Sequence, residues 1–278
     1  MRETVAPLTI IEPKKGWVPI DFKEIWNYRE LLYFLTKRDI KVRYKQTVLG
    51  GLWAIIQPAF TMIVFTLFFG RLAKVPSEGM PYPIFVYAGL LPWTYFANAV
   101  SNSGNSLVGS ANLITKIYFP RLIVPASASL AGLLDFFIAM FVLGVLMIHY
   151  QFVPSILGIF LFPFLLGLTF LCALGVGLWL SAMNVQYRDI RYVIPFFVQI
   201  WLFVSPVIYP VSIVNKKYQW LLALNPMAGL IKAYRASILG HQPVDWGLLG
   251  ISAFIILLLL VSGLFYFRRM EKVFADVV

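Results

Sequence analysis

Reactive and metal-binding side chains are scarce in this chain of 278 residues. A single cysteine, Cys172, excludes any disulfide within one chain and any thiolate cluster around a metal. Its apolar neighbours mark it as a buried thiol. Only two histidines occur, His149 and His241, and neither stands in a motif with acids at ligand spacing, so no metal site is expected. No Gly-Lys dipeptide occurs, hence no Walker A loop, and no GxGxxG follows a strand. The chain is expected to be no enzyme, to hold no cofactor and to hydrolyse no ATP.

Charge is scarce as well. Charged residues make up 13% and hydrophobic ones 60%, with mean hydropathy +0.81, whereas soluble domains carry roughly a quarter charged residues. The expected solvent is lipid. The net charge of +11 would suit a nucleic-acid binder, but the basic residues lie between apolar runs, where membrane topology accounts for them and nucleic acid is not expected. The first twenty residues, MRETVAPLTIIEPKKGWVPI, contain no apolar run that would make a cleaved signal peptide.

What the chain has is long uncharged stretches. From Gln46 to Gly70 run 25 residues without a formal charge, directly after the basic cluster RYK. About 20 apolar residues cross a 30 Å hydrocarbon core as a helix. Charge gaps and turn residues divide the chain into six crossings: Val48 to Gly70, Tyr82 to about Asn102, two between Leu122 and Tyr187, Tyr192 to Tyr209, and Trp246 to Phe267. The third and fourth are separated by the turn His149 to Ser155. With both termini in the cytoplasm, 17 Lys and Arg fall inside and 6 outside, as the positive-inside rule requires. The fold expected is an all-α polytopic membrane protein. It comprises a cytoplasmic N-terminal segment (1–45), a six-helix transmembrane domain (46–270) and a cytoplasmic tail (271–278).

Three further pieces do not span. Asp21 and Glu24 resemble a capped helix start, and Ile25, Tyr28, Leu32 and Leu35 follow at helical spacing. They predict an amphipathic helix from Phe22 to about Thr36 at the cytoplasmic surface. Between spans two and three, Ser110 is placed to cap a short helix carrying Leu113, Ile114, Ile117 and Tyr118, ended by Pro120. From Pro210 to Gly240 the sequence is apolar but interrupted at Asn225-Pro226, which predicts two short re-entrant helices before the last span.

Polar residues inside the spans fall into lines. Advancing 100° per residue, Tyr87, Thr94, Asn98, Ser101, Asn102 and Asn105 align in span two. Trp53, Gln57, Phe60, Val64 and Phe68 align in span one, and Tyr192, Phe196, Gln199 and Phe203 in span five. Amides in hydrocarbon are unfavourable unless paired, so these seams should face protein or water. Amides glue helices or line a conduit; beside aromatic rings they suit a sugar polymer. Asp135 is the one acid deep in a span, and a structural hydrogen bond to another helix is the expected role.

Five ordered motifs carry a resemblance: RYKQTVLGGLWAIIQPAF (Arg43 to Phe60), YFPRLIVPASA (Tyr118 to Ala128), NVQYRDI (Asn184 to Ile190), SPVIYP (Ser205 to Pro210) and NPMAGLIKAYR (Asn225 to Arg235). The chain resembles the membrane subunit of type-2 ABC exporters for polysaccharides, with O-antigen exporters nearest in pattern. The resemblance implies a homodimer in the inner membrane, joined to two copies of a separate ATPase subunit that binds ATP and Mg. The cargo implied is a lipid-linked polysaccharide. Spans one, two and five would surround its channel. Leu113, Ile114, Ile117 and Tyr118 would form the coupling helix, with Tyr187, Arg188 and Asp189 a second ATPase contact. Asn225, Pro226, Lys232, Tyr234 and Arg235 would belong to an outer gate. Rival readings are the same machine moving capsular polysaccharide or teichoic acid, and an ion-driven secondary transporter.

Overall fold

The computed structural model describes residues 22–45, 49–187, 189–240, 242–271 and 274, and among these every regular element is helical. Two helices at the N-terminus, α1 (Phe22–Asn27) and α2 (Arg29–Tyr44), replace the single one expected. The break falls at Tyr28, whose ψ of 18° departs from helical values; α2 then runs well past Thr36. The cap expected at Asp21 lies outside the described residues.

Among the described residues four helices are long and apolar enough to cross a bilayer: Gly50–Leu72, Ile123–Tyr150, Ile156–Gln186 and Trp246–Met270. The first joins a 3-10 turn (Gly50–Leu52), α3 (Trp53–Phe65) and a π-helical end (Thr66–Leu72). The others are α6, α7 and α11. Between them lie α4 (Tyr82–Gly109), α5 (Ala111–Lys116), α8 (Ile190–Val204), α9 (Gln219–Ala223) and α10 (Pro226–Leu239). Prolines sit inside α3, α4, α7 and α8, at Pro58, Pro92, Pro163 and Pro195. Such residues break soluble helices but are accommodated where neighbouring helices satisfy the freed carbonyls.

The helix α4 is the hub. It packs against α6 and α7 most extensively, and against α3, α8 and α10. Its polar end SNSGNS, where the span was expected to stop, stays helical to Gly109. Partners supplied by α7 account for this: Asn184 donates to the Gly104 carbonyl at 2.9 Å and to the Asn105 side chain at 3.1 Å. On the other side of α7 lies α11. A Cβ on Gly175 would sit 2.9 Å from the Leu260 nitrogen, and one on Gly263 would sit 2.6 Å from the Gly175 carbonyl oxygen. The two backbones meet there, as small residues permit between membrane helices.

A second, smaller core lies at the end of the bundle that holds α2 and α5. Leu35 of α2, Leu107 of α4, Ile114 of α5, Ile123 of α6, Leu178 of α7 and Phe267 of α11 meet there with Phe274. It ties the N-terminal helices, the short connecting helix and the tail into one body. Only Ile114 of α5 is buried, and Ile117 and Tyr118 fall beyond its end. Ser110 precedes α5 but its hydroxyl makes no capping bond.

Candidate translocation site

The exposed surface of α4 reproduces its polar line. Thr94, Ala97, Asn98, Ser101, Asn102 and Asn105 are the accessible positions of its second half before Ser106, while Tyr95, Phe96, Ala99, Val100 and Ser103 are buried. The strip runs between α3 and α8, the two helices that the rest of the chain covers least. In α8 only Ile194 is buried, and in α3 only Pro58.

Tyr87 does not join this strip. Its ring is wholly buried, and its hydroxyl donates to the Ala139 carbonyl at 2.9 Å. There α6 crosses α4, so a residue in line with Thr94 faces protein.

Beside the strip lies a cavity of about 360 Å³ between α3, α4 and α6, closed at one end by the end of α2. Trp53, Gln57, Thr94 and Asn98, placed on two spans by their periodicity, meet on its wall with Asn102. The Thr94 hydroxyl is taken by the Leu90 carbonyl at 2.7 Å. Residues of α8 are absent from the lining, so the third seam is not brought to the first two within one chain. Tyr192, Phe196 and Gln199 are exposed on α8, as Phe60 is on α3 and Phe68 on the π-helical end that follows it. Phe203 borders a separate apolar hollow with Phe69, Ile208 and Tyr209.

Asp135 also lines the cavity, and its partners come from α2. Arg43 forms an ion pair with one carboxylate oxygen, and the Tyr44 hydroxyl donates to the other. Roughly 18 Å along α6 from Ile123, the carboxylate is thus held by the last residues of the N-terminal helix. No sequence spacing announces a pair 92 residues apart. The only signal is that Arg43 and Tyr44 stand at the head of the uncharged run.

The residues expected at an outer gate gather at a joint between α10, α4 and the end of α8. Among the described residues α10 is the most enclosed helix, buried at every position but Lys232. The Asn225 side chain accepts from the Met227 nitrogen at 3.1 Å, capping the helix, and Pro226 takes its first position as expected. The same amide accepts from Trp201 Nε1 at 2.9 Å and donates to Ser205 Oγ at 2.9 Å, so the cap also holds the end of α8. Tyr234 is buried, 3.3 Å from the Thr169 hydroxyl. Arg235 is buried against the Phe85 ring, 3.6 Å from its centroid. Its guanidinium donates to the carbonyls of Phe85, Pro206 and Val207 at 3.0, 2.8 and 2.7 Å. Those last two carbonyls are free because α8 has ended at Val204. Lys232 reaches outward to Asp245 at 2.7 Å.

At the opposite end, Ile117, Tyr118, Tyr187 and Asp189 are exposed, whereas Arg188 lies outside the described residues. The Tyr118 hydroxyl donates to Glu24 at 3.3 Å; partial burial first, and then that carboxylate, raise its pKa.

A bundle of long apolar helices built around one helix with a polar strip has the form of a transport subunit. Residues 30–239 match the profile of the ABC-2 type transporter family, and the chain belongs to that family. It is similar to the O-antigen export system permease protein RfbA of Myxococcus xanthus, 32% identical over 254 residues covering 90% of this chain and 96% of the relative. The protein of the same name from Klebsiella pneumoniae is 27% identical over 248 residues, 89% and 95% of the two chains. The polysialic acid transport protein KpsM of Escherichia coli is 24% identical over 242 residues, 84% and 91% of the two.

Proposed function

We propose that this chain is the membrane subunit of an ATP-driven exporter that moves a lipid-linked polysaccharide of the O-antigen type across the cytoplasmic membrane. The observation that carries the reading is the strip on α4: hydrogen-bonding side chains left accessible on a helix otherwise enclosed by protein. Such groups do not face acyl chains without partners. A watery path along α4 satisfies them, and two copies of the chain placed strip to strip would close it. The exposed rings of α3 and α8 then flank the path, where sugar faces pack on aromatics while amides take hydroxyls. Phe60, Phe68, Tyr192, Phe196 and Phe203, with Gln199, are assigned to this wall together with Trp53, Gln57, Thr94, Asn98 and Ser101.

In this reading α4 and α8 add two crossings to the four long apolar helices, and both termini lie in the cytoplasm, as the Lys and Arg distribution favours. ATP and Mg belong to a separate partner subunit, present in two copies. Leu113, Ile114, Ile117 and Tyr118 with Tyr187, Arg188 and Asp189 form the surface that partner would press on. The small core beneath them passes the displacement to α2, α6 and α11, shifting the bundle between two packings. An ion-driven carrier is disfavoured because Asp135 already has Arg43 and Tyr44. A capsular polysaccharide is the second cargo reading, supported by the likeness to KpsM.

The test is to make the strip apolar. Asn98→Leu combined with Ser101→Leu should lower surface polysaccharide by about tenfold or more, the equivalent of roughly 1.4 kcal/mol, at unchanged membrane abundance. Undiminished export by this variant overturns the reading.

A further inference from the structure

Beyond α11 the chain turns back onto the link that leaves α5. Glu271 follows Met270, and its nitrogen donates to the Phe267 carbonyl at 2.8 Å. One oxygen of its carboxylate accepts from Arg268 at 2.6 Å, and the other accepts from the Arg121 backbone nitrogen at 3.3 Å. The Arg121 guanidinium donates in turn to the Glu271 carbonyl. Further along, the Phe274 ring is wholly buried, edge-on to Phe267 with 5.2 Å between centroids, and the Arg121 guanidinium lies 6.0 Å from its centre. Chain ends fray unless they are tied down. Here a carboxylate, a carbonyl and a ring from the tail all meet one arginine.

That arginine stands just after Ile117 and Tyr118, in the non-helical link between α5 and α6. Ile117 is already extended, with φ −133° and ψ 135°, so no helix fixes the direction of these two exposed side chains. Tyr118 reaches Glu24, but that bond is exposed, where water competes. Past the pair, Phe119 is buried and Arg121 is held by the tail. We propose that Glu271, backed by Phe274, is a positioning residue: the tail is a strap that fixes the link 117–122, so that Ile117 and Tyr118 meet the partner ATPase in one pose. The inference rests on the proposed ATPase contact and adds the element that stiffens it. A push on a loose link is absorbed there, whereas a push on one clasped to α11 moves α11 as well. The strap therefore serves coupling and not hydrolysis. Phe274 belongs to the smaller core and not to the larger one around α4, so the strap can be removed with the spans left packed.

The test uses the full chain co-expressed with its ATPase partner and purified as the complex in nanodiscs of phosphatidylethanolamine and phosphatidylglycerol. E271A, E271Q and a chain stopped after Met270 are compared with the parent. ATP hydrolysis is measured on the complex, and surface glycan on cells at matched membrane abundance. E271A and the shortened chain should keep hydrolysis within about twofold while export per ATP falls at least about fivefold, the lower end of typical coupling between sites. E271Q keeps an oxygen for the Arg121 nitrogen and should retain most of the export. A nitroxide on Ile117→Cys, a position 58% exposed, separates positioning from a merely structural role. The native thiol is buried and does not compete for the label. Adding E271A should make that label more mobile while the denaturation midpoint of the complex stays in place. Unchanged export in E271A and the shortened chain overturns the inference. So does a label no more mobile than before, or a loss of hydrolysis along with export. A parent chain that recruits no ATPase removes the export reading, and the role of the strap with it; a parent that hydrolyses and exports no better than E271A removes the strap alone.

Discussion

Helices α8 and α10 have nearly the same length, 15 and 14 residues, and opposite surroundings. The stretch Ile190–Val204 has one charge, Arg191, and buries a single residue; Pro226–Leu239 has Lys232 and Arg235 and is buried almost throughout. In water the assignment would be reversed. In lipid an exposed apolar side chain loses nothing, because acyl chains are as apolar as leucine. A charge, however, must be enclosed with partners. What selects the interior position is thus the supply of hydrogen-bond acceptors, and the non-helical turn after α8 supplies two of them to α10, the carbonyls of Pro206 and Val207.

The sharpest way to break this contrast is to remove the enclosed charge. Arg235→Met leaves three carbonyls without their donor in a dry site, at about 1–3 kcal/mol for a buried unsatisfied group. It should destabilise the folded chain by on the order of 3 kcal/mol in a denaturant titration of the detergent-solubilised protein. Phe196→Ala on the exposed face of α8 should shift that titration by no more than about 0.5 kcal/mol, while reducing export. Equal stability losses in the two variants would show that the enclosed charge holds nothing together.

A second contrast lies between α7 with α11, where backbones touch, and α3, which stands apart. Gly175→Val places methyl groups against the Leu260 nitrogen, 2.9 Å from the Cβ. Overpacking of this kind costs about 1–3 kcal/mol. Gly51→Ala, ahead of α3, meets its nearest side chain at an ordinary 3.5 Å and should change the titration by only a few tenths of a kcal/mol.

These contrasts also mark what the sequence displays. Uncharged length gave the long apolar helices, and the 3.6-residue period gave the polar face of α4, because both are local properties. Asn225-Pro226 announced the start of α10 for the same reason. The surroundings of a face are another matter. Tyr87 shares a line with Thr94 yet packs under α6, and Arg235, on a segment expected to be a short re-entrant helix, sits in the core. In lipid, apolar composition does not separate a face that meets protein from one that meets acyl chains, so the crossing expected at α8 and the re-entrant helix expected at α10 carried no sign of which would be enclosed. The partners of Asp135 were hidden differently, since opposite charges on distant segments meet only once the bundle exists.

The mildest test concerns the one charge of α10 that reaches out. Lys232 bridges to Asp245 at 2.7 Å, and the other oxygen of that carboxylate accepts from the Leu248 nitrogen at 3.0 Å, capping α11. The hydrogen bond from Lys232 and then that from Leu248 hold the Asp245 carboxyl below the usual carboxylate range. A carboxyl whose folded pKa lies below its unfolded value, about 3.9, adds stability that is complete above that value and disappears as pH falls through the folded pKa. Asp245→Ala should therefore cost about 1 kcal/mol at neutral pH, in the range of a lost helix cap, and progressively less below pH about 4. Denaturant titrations of the two proteins at pH 7 and at pH 3 check this. Convergence of the curves at the lower pH is the expected result, and a constant gap would assign the whole effect to helix propensity, with the ion pair to α10 contributing nothing.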